Sequence, residues 1–308
     1  MRDLIPDGLR QKAAILPGGA EWLADLPAIC RRLSVEWSVE LGTTLDGCHI
    51  SLVIAADRAG EPFVLKVPLP SAIELGTLPA GARADEAAAL RVWAGDGAVR
   101  LVEFDAATEA MLQERCVPGT TLDRHDHPDE IAAELLTRLH RTPATGRFER
   151  LAVRADALAR DLPARFERAG APFDHWLLDS AVESLKSLTG GPEVLLHGDF
   201  HLHNILAAER EPWLAIDPLP MIGDPAYDAV QYLLFRKGDL ADPVRDWKEV
   251  MDRFCRRIDV DAERVRAWTF ARLVTDALAS YGEGLPVTEM EAYQGDLWTA
   301  RLVHRLRE

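Results

Sequence analysis

One interruption constrains the second half of this chain more than any other feature. From about residue 128 onward the apolar residues recur at helical spacing, but between Glu193 and Asp217 that period stops. The segment reads Glu193-Val194-Leu195-Leu196-His197-Gly198-Asp199-Phe200-His201-Leu202-His203-Asn204-Ile205-Leu206, then a turn, then Trp213-Leu214-Ala215-Ile216-Asp217. Apolar runs this short, bounded by turn residues, suit brief buried strands rather than helices. The expectation is three strands enclosing two polar loops, with Asp199 and Asn204 five positions apart in the first loop and Asp217 closing the last strand.

Such a frame suits phosphoryl transfer. One carboxylate must orient an acceptor hydroxyl and take its proton. A second carboxylate and a neutral oxygen must hold magnesium across the phosphates, because Mg²⁺ prefers hard oxygen donors. The Asp-x4-Asn spacing matches a kinase catalytic loop, and an Asp closing the next hairpin matches the metal-binding position. The histidines His197, His201 and His203 invite a zinc reading instead, but neither a cysteine ligand nor an H-E-x-x-H helix accompanies them. Structural roles are the better expectation for them, with His197 supporting the loop backbone.

The first half reads differently. Glu21 to Leu33 is expected as a helix with Trp22, Leu23, Leu26, Ile29 and Leu33 near one face. Strands are expected over Trp37–Leu41, His49–Ala55 and Pro62–Val67, with Gly42-Thr43-Thr44-Leu45-Asp46-Gly47 as the turn between the first two. This turn can cradle phosphates through its backbone N–H groups, although it lacks the Gly-x-Gly-x-x-Gly of protein kinases. Lys66 falls near the end of the third strand. A Pro/Gly-rich connection leads to a helix at about Arg83–Trp93, then strands over Val99–Asp105 and Ala110–Arg115. Beyond the linker at 116–121, Pro128 is placed to open a helix, and further helices are expected at about 151–169, 174–188, 225–236, 243–258 and 261–281. The class is α+β: a small antiparallel-sheet N-terminal lobe (1–115), a hinge (116–121) and a larger helical lobe (122–308) holding the catalytic loop and a substrate cleft.

Composition excludes several alternatives. With 48% hydrophobic residues among 308, the chain has ample core material and is not disordered. Its formal charge of −15 argues against nucleic acid and accommodates a cationic small molecule. No run approaches the roughly 20 apolar residues of a membrane helix, and no signal-like N-terminus is visible. The four cysteines (Cys30, Cys48, Cys116, Cys255) are scattered and suit burial in a reducing cytoplasm. A cytoplasmic protein is expected, with no nucleic-acid or membrane partner, and the sequence fixes no oligomeric state.

The stretch His197–Asn204, followed by Ile216-Asp217-Pro218 and Gly223-Asp224-Pro225-Ala226-Tyr227-Asp228, resembles the aminoglycoside phosphotransferase family, in particular its streptomycin 6-kinase and hydroxyurea-resistance branch. That resemblance implies a bilobal, protein-kinase-like fold, with ATP and Mg²⁺ as cofactors. It implies Asp199 as catalytic base and Asn204 and Asp217 as magnesium ligands. Lys66 would contact the α/β-phosphates, held by a helix glutamate for which Glu86 leads over Asp85 and Glu74. The backbone of Arg115 and Val117 would bond the adenine edge, and Asp224 would either brace the catalytic loop or cap the following helix. With Gly42, Thr43, Thr44 and Gly47 these residues complete the nucleotide side.

Departures from the protein-kinase pattern matter as well. Gly198 precedes Asp199, Pro218 follows Asp217 where Phe-Gly would stand, and no Ala-Pro-Glu follows. An activation-loop switch is therefore not expected. The family's acceptor sits among carboxylates that pair with cationic groups, and Glu283 and Asp296 are the candidates, with Glu289 and Glu291 nearby. The expected activity is O-phosphorylation of a small hydroxylated, cationic substrate, streptomycin first. Hydroxyurea or an amino sugar is the alternative acceptor, and a non-catalytic nucleotide-binding protein is the alternative of another class.

Overall fold

The computed structural model describes residues 5–16, 18–45, 51–69, 82–145, 148–238, 240, 242–281 and 287–305. Its contacts divide the chain into two compact units, 1–121 with 206–219, and 122–205 with 220–308. The division at 115/116 and 121/122 drawn from sequence runs along the chain. The contacts are not linear, because residues 206–219 pack with the first 121.

The first unit is a five-stranded antiparallel sheet in the order β1-β2-β3-β5-β4: β1 (Glu40–Thr44), β2 (Ser51–Arg58), β3 (Glu61–Pro68), β4 (Leu101–Asp105) and β5 (Ala110–Glu114). Helices α1 (Asp7–Ala14) and α2 (Gly19–Glu36) supply Leu9, Trp22, Leu26, Cys30 and Leu33 to one buried core with Leu52, Ile54, Leu65, Val67 and Leu112 of the sheet. The alternation along β3 puts Leu65 and Val67 into this core, so Lys66 between them points the other way. Helix α3 (Ala82–Trp93) follows the sheet's third strand in sequence.

Two details differ from expectation. The strand expected from Trp37 begins only at Glu40, because Trp37 still bonds the Leu33 carbonyl at 2.9 Å and closes α2. Ser38, at φ 53°, then turns the chain. The turn expected from Gly42 is strand through Thr44, with a register shift between Leu41 and Thr44. The β-branched Thr43 and Thr44 favour extended backbone.

Residues 206–219 are stitched to this unit through their backbone. The strands β7 (Ile205–Ala207) and β8 (Trp213–Ala215) form a hairpin. Ala215 bonds Gly97 and Val99, while Ala207 exchanges hydrogen bonds with Gly119 and Thr120. Arg210, at the tip, donates to Glu114 at 2.7 Å and to the carbonyls of Gly95 and Ala98 at 2.9 and 3.1 Å.

The second unit is helical: α4 (Pro128–His140), α5 (Leu151–Arg168), α6 (His175–Ser187), α7 (Ala226–Gly238), α8 (Pro243–Arg257), α9 (Ala262–Tyr281) and α10 (Val287–Arg305). Pro128 opens α4 as expected, and Asp242 caps α8 by accepting from the Arg245 N–H at 3.1 Å. Helix α9 carries apolar residues on most sides and is the hub, packed by α5, α6, α7, α8 and α10. Strands β6 (Val194–Leu196) and β9 (Met221–Gly223) pair antiparallel. Neither β9, α1 nor α10 was evident in the sequence. β9 is three residues long, and polar residues break the apolar period of α10.

At Gly223 a Cβ would come to 2.5 Å from Leu151 Cβ. Gly223→Ala is therefore expected to destabilise the protein by about 1–3 kcal/mol through overpacking. A urea-denaturation midpoint checks this, and an unchanged midpoint would show that α5 shifts freely.

Candidate active site

In the first unit a buried ion-pair cluster forms around Lys66. Its Nζ lies 2.8 Å from Glu86 Oε1 and 2.8 Å from Asp217 Oδ1, and Gln113 Nε2 also donates to Glu86 Oε1 at 3.2 Å. Lys66 and Glu86 are 2% and 0% exposed, whereas the Asp217 side chain keeps 34% of its surface. Helix α3 thus presents Glu86 to the lysine. Asp85 is half-buried beside it, and Glu74 lies outside the described residues. Asp217 holds a left-handed backbone at φ 57°, which is uncommon for a non-glycine residue and redirects the chain directly after β8.

The remaining nucleotide-side candidates are placed less decisively. Gly42, Thr43 and Thr44 lie on β1, and Gly47 lies outside the described residues. The Arg115 N–H is taken by the Pro62 carbonyl at 3.3 Å. Val117, half-buried, carries no backbone hydrogen bond among the described residues.

In the second unit the loop after β6 is folded around a carboxylate that sequence reasoning missed. Asp228, on the first turn of α7, is 1% exposed. Its Oδ2 accepts the His197 N–H at 2.8 Å and its Oδ1 accepts the Gly198 N–H at 2.7 Å. Gly198 takes φ 77°, a left-handed conformation that glycine adopts without strain. Asp199 follows. Its N–H faces His197 Nδ1 at 3.3 Å, so the buried His197 ring braces the loop. Asn204 closes the loop, its Nδ2 donating to the Asp199 carbonyl at 2.9 Å and to Asp199 Oδ2 at 3.1 Å.

The Asp199 carboxylate is therefore asymmetric. Oδ2 faces Asn204 and, at 3.6 Å, His201 Nε2; Oδ1 has no hydrogen-bond partner among the described residues. The Nδ1 of His201 accepts the His203 N–H at 3.2 Å, so Nε2 carries the proton that faces Asp199. The ring stacks on Phe235 with centroids 4.2 Å apart. Burial alone would raise the Asp199 carboxyl, but the adjacent His201, with His197 and Arg272, outweighs it and holds it below the ordinary carboxylate range. His203 lies 3.9 Å from Asp123.

Asp224 serves the helices rather than the loop. Its Oδ1 accepts the Ala226 N–H at 3.0 Å, and its Oδ2 accepts from Arg264 Nε at 2.8 Å and Trp268 Nε1 at 2.9 Å. Of the two roles expected for it, the geometry gives it the cap and gives Asp228 the brace. The available signal was Asp228's position among Ala229, Val230, Tyr232 and Leu233, all buried on α7. A carboxylate at such a place needs donors.

Of the acceptor candidates, Glu283 lies outside the described residues. Asp296, on α10, is half-buried, and burial together with Asp276 pushes its carboxyl up to about 6 against the pull of Lys237 and Arg272. Arg272 pairs with Asp276 at 3.3 Å on α9, and the Lys237 ammonium lies 5.7 Å from the exposed Trp298 ring centroid.

The sheet-plus-helix architecture matches solved kinases. A choline/ethanolamine kinase family protein from Mesorhizobium loti superposes with a TM-score of 0.64 at 17% identity, covering 98% of this chain and 95% of that one. Aminoglycoside phosphotransferase APH(4)-Ia gives a TM-score of 0.62 at 17% identity, over 91% and 98%. The fold is thus the α+β, protein-kinase-like fold of small-molecule phosphotransferases. Residues 36–284 match the model of the aminoglycoside/hydroxyurea antibiotic resistance kinases, and the chain belongs to that family as an O-phosphotransferase acting on hydroxyl groups. Among curated proteins it is 34% identical to a streptomycin 6-kinase of Streptomyces griseus over 291 residues, 91% of this chain and 92% of that protein. It is 32% identical to a hydroxyurea phosphotransferase of Kitasatospora aureofaciens, over 86% and 76%.

Lys66→Met would leave Glu86 buried without its ammonium. A loss of about 3–5 kcal/mol is expected, as for other buried pairs broken on one side. Lys66→Met/Glu86→Leu should recover most of it in denaturant titrations. No recovery would mean that the pair is not the source of the loss.

Proposed function

We propose that this protein transfers the γ-phosphoryl group of ATP, with Mg²⁺, to a hydroxyl of a small cationic substrate, the 6-hydroxyl of streptomycin being the first candidate. The observation that carries this is the Asp199 carboxylate, held ionised with Oδ2 fixed by the loop and Oδ1 open. Oδ1 takes the acceptor's proton as the new O–P bond forms and the bond from the γ-phosphorus to the ADP oxygen breaks.

Lys66, oriented by Glu86, is the contact for the α/β-phosphates, and the Val117 backbone offers a donor and an acceptor to the adenine edge. Asp217 and Asn204 are the magnesium ligands. Their donor set fits the ion: Asn204 uses its Nδ2 on Asp199, which leaves the amide Oδ1 without a partner among the described residues, and Asp217 keeps a partly exposed carboxylate. Bound Mg²⁺ neutralises charge on the phosphates. Support for the acceptor comes from the name of the Streptomyces griseus relative and from the partly exposed Asp276 and Asp296, which suit a guanidinium or ammonium. The Kitasatospora aureofaciens relative keeps hydroxyurea as a second acceptor.

ADP release with Mg-ATP, across streptomycin, other aminoglycosides, amino sugars and hydroxyurea, separates these acceptors. Asp199→Asn is expected to lower kcat by about 10²–10⁴-fold with little change in ATP affinity. Normal turnover in that variant would remove Asp199 as the base.

Asp296 gives a pH test. Its folded-state carboxyl is raised to about 6, so it is neutral below that pH and anionic above it. The KM for a cationic acceptor is therefore expected to fall as pH rises through about 6, and Asp296→Asn should abolish that step. Parallel KM profiles of the two proteins from pH 5 to 7.5 would place Asp296 outside the acceptor site.

A further inference from the structure

We propose that the Lys237 ammonium is an internal occupant of a cation subsite in the helical unit, held by the Trp298 ring and the Thr299 hydroxyl until the acceptor's ammonium or guanidinium displaces it. The inference rests on the proposed cationic acceptor and deepens that reading by giving one of the acceptor's charges a defined place.

Three neighbours on α10 make the place a cation site. Thr299 is 1% exposed, and its hydroxyl donates to the Gly295 carbonyl at 2.8 Å. The proton is thereby committed, and the oxygen offers a lone pair, which the Lys237 ammonium takes. Trp298 keeps 45% of its surface, and the same ammonium stands 5.7 Å from its ring centroid, within reach of a cation–π contact. Asp296, three positions before Thr299, adds the negative charge. An aromatic face, a neutral oxygen and a carboxylate are the partners that an ammonium or a guanidinium takes from a protein.

Lys237 fills this place imperfectly. Burial outweighs the pull of Asp296 and holds the ammonium below the ordinary lysine range, so the charge has lost more water than its partners make good. Asp296 shows the other half of the mismatch. Burial and Asp276 keep its carboxyl raised to about 6, although Lys237 and Arg272 both act on it in the opposite direction. A cation that brings further contacts from the rest of an acceptor therefore replaces the lysine readily. The lysine has a place to go as well. It lies in the last turn of α7, where its flexible stem can turn the ammonium to water near the negative end of the helix dipole. While it stays, an outside cation binds with an affinity reduced by the fraction of time the place is vacant.

The test compares Lys237→Met, which keeps the stem beside Trp298 without the charge, with Lys237→Arg, which restores a cation. Calorimetric titration of the nucleotide-free proteins with streptomycin, at pH 8 where Asp296 is ionised, is the readout. Lys237→Met is expected to bind about 5- to 20-fold more tightly than wild type, as for a place held by the lysine about 80–95% of the time. Lys237→Arg should bind no more tightly than wild type. Equal or weaker binding by Lys237→Met, no binding to either protein, or an equal gain in Lys237→Arg would overturn the proposal. So would an equal gain for hydroxyurea, which is uncharged. Should Lys237→Met fail to fold, Lys237→Gln, whose amide still donates to Thr299, replaces it in the same comparison. ADP release on streptomycin is measured beside the titrations. Tighter binding in Lys237→Met with no release by wild type would uphold the displacement and fail the kinase reading; release with unchanged binding would do the reverse.

Discussion

A carboxylate removed from water must find its donors inside the protein, and Asp228 finds three. They come from the end of α4 and from two successive amides of the loop after β6, while the acid itself sits on α7. Residues 140, 197, 198 and 228 therefore cannot move independently. The left-handed turn at Gly198, the brace of His197 on the Asp199 amide and the closure of the loop by Asn204 are all built on that fixed point. Asp199 keeps an ionised carboxylate despite its burial because the loop brings His201 to one oxygen, with His197 and Arg272 nearby.

The first unit meets a parallel problem with a buried cation. The pleat of β3 that sends Leu65 and Val67 into the α1/α2 core sends Lys66 to the opposite face, where Glu86, Gln113 and Asp217 receive it or its partner. Desolvation makes such a pair a poor source of net stability, since apolar replacements are often neutral. What it supplies is direction: an ammonium on a rigid strand, with its carboxylate partners on α3 and at the end of β8. The hairpin carrying Asp217 is held to this unit by backbone hydrogen bonds and by Arg210, which satisfies two loop carbonyls and Glu114 at once.

The family of this chain and the fold it shares at 17% identity with choline/ethanolamine and aminoglycoside kinases separate two levels of specification. The fold and the phosphotransferase chemistry need only the sheet, the helical core and a few charged residues in fixed frames. The acceptor is a separate level of specification, since one fold serves many acceptors.

The sequence by itself determined the α+β class, the run of three short strands between Glu193 and Asp217, and the candidates Asp199, Asn204, Asp217 and Lys66. These were legible because period and motif spacing are local properties of the chain. Helix α10 and strand β9 were not legible: the apolar pattern of α10 is broken by polar residues, and β9 is three residues whose partners are a strand 27 positions earlier and, through Ile222, Arg150. Tertiary structure alone decided that Glu86 faces Lys66, that Asp224 caps α7 while Asp228 grips the loop, that His140 joins it, and that residues 206–219 pack with the first 121. Each of these is a choice among chemically equivalent carboxylates, rings or segments. Only the direction of a side chain in the folded molecule, and the water it has lost there, tells them apart.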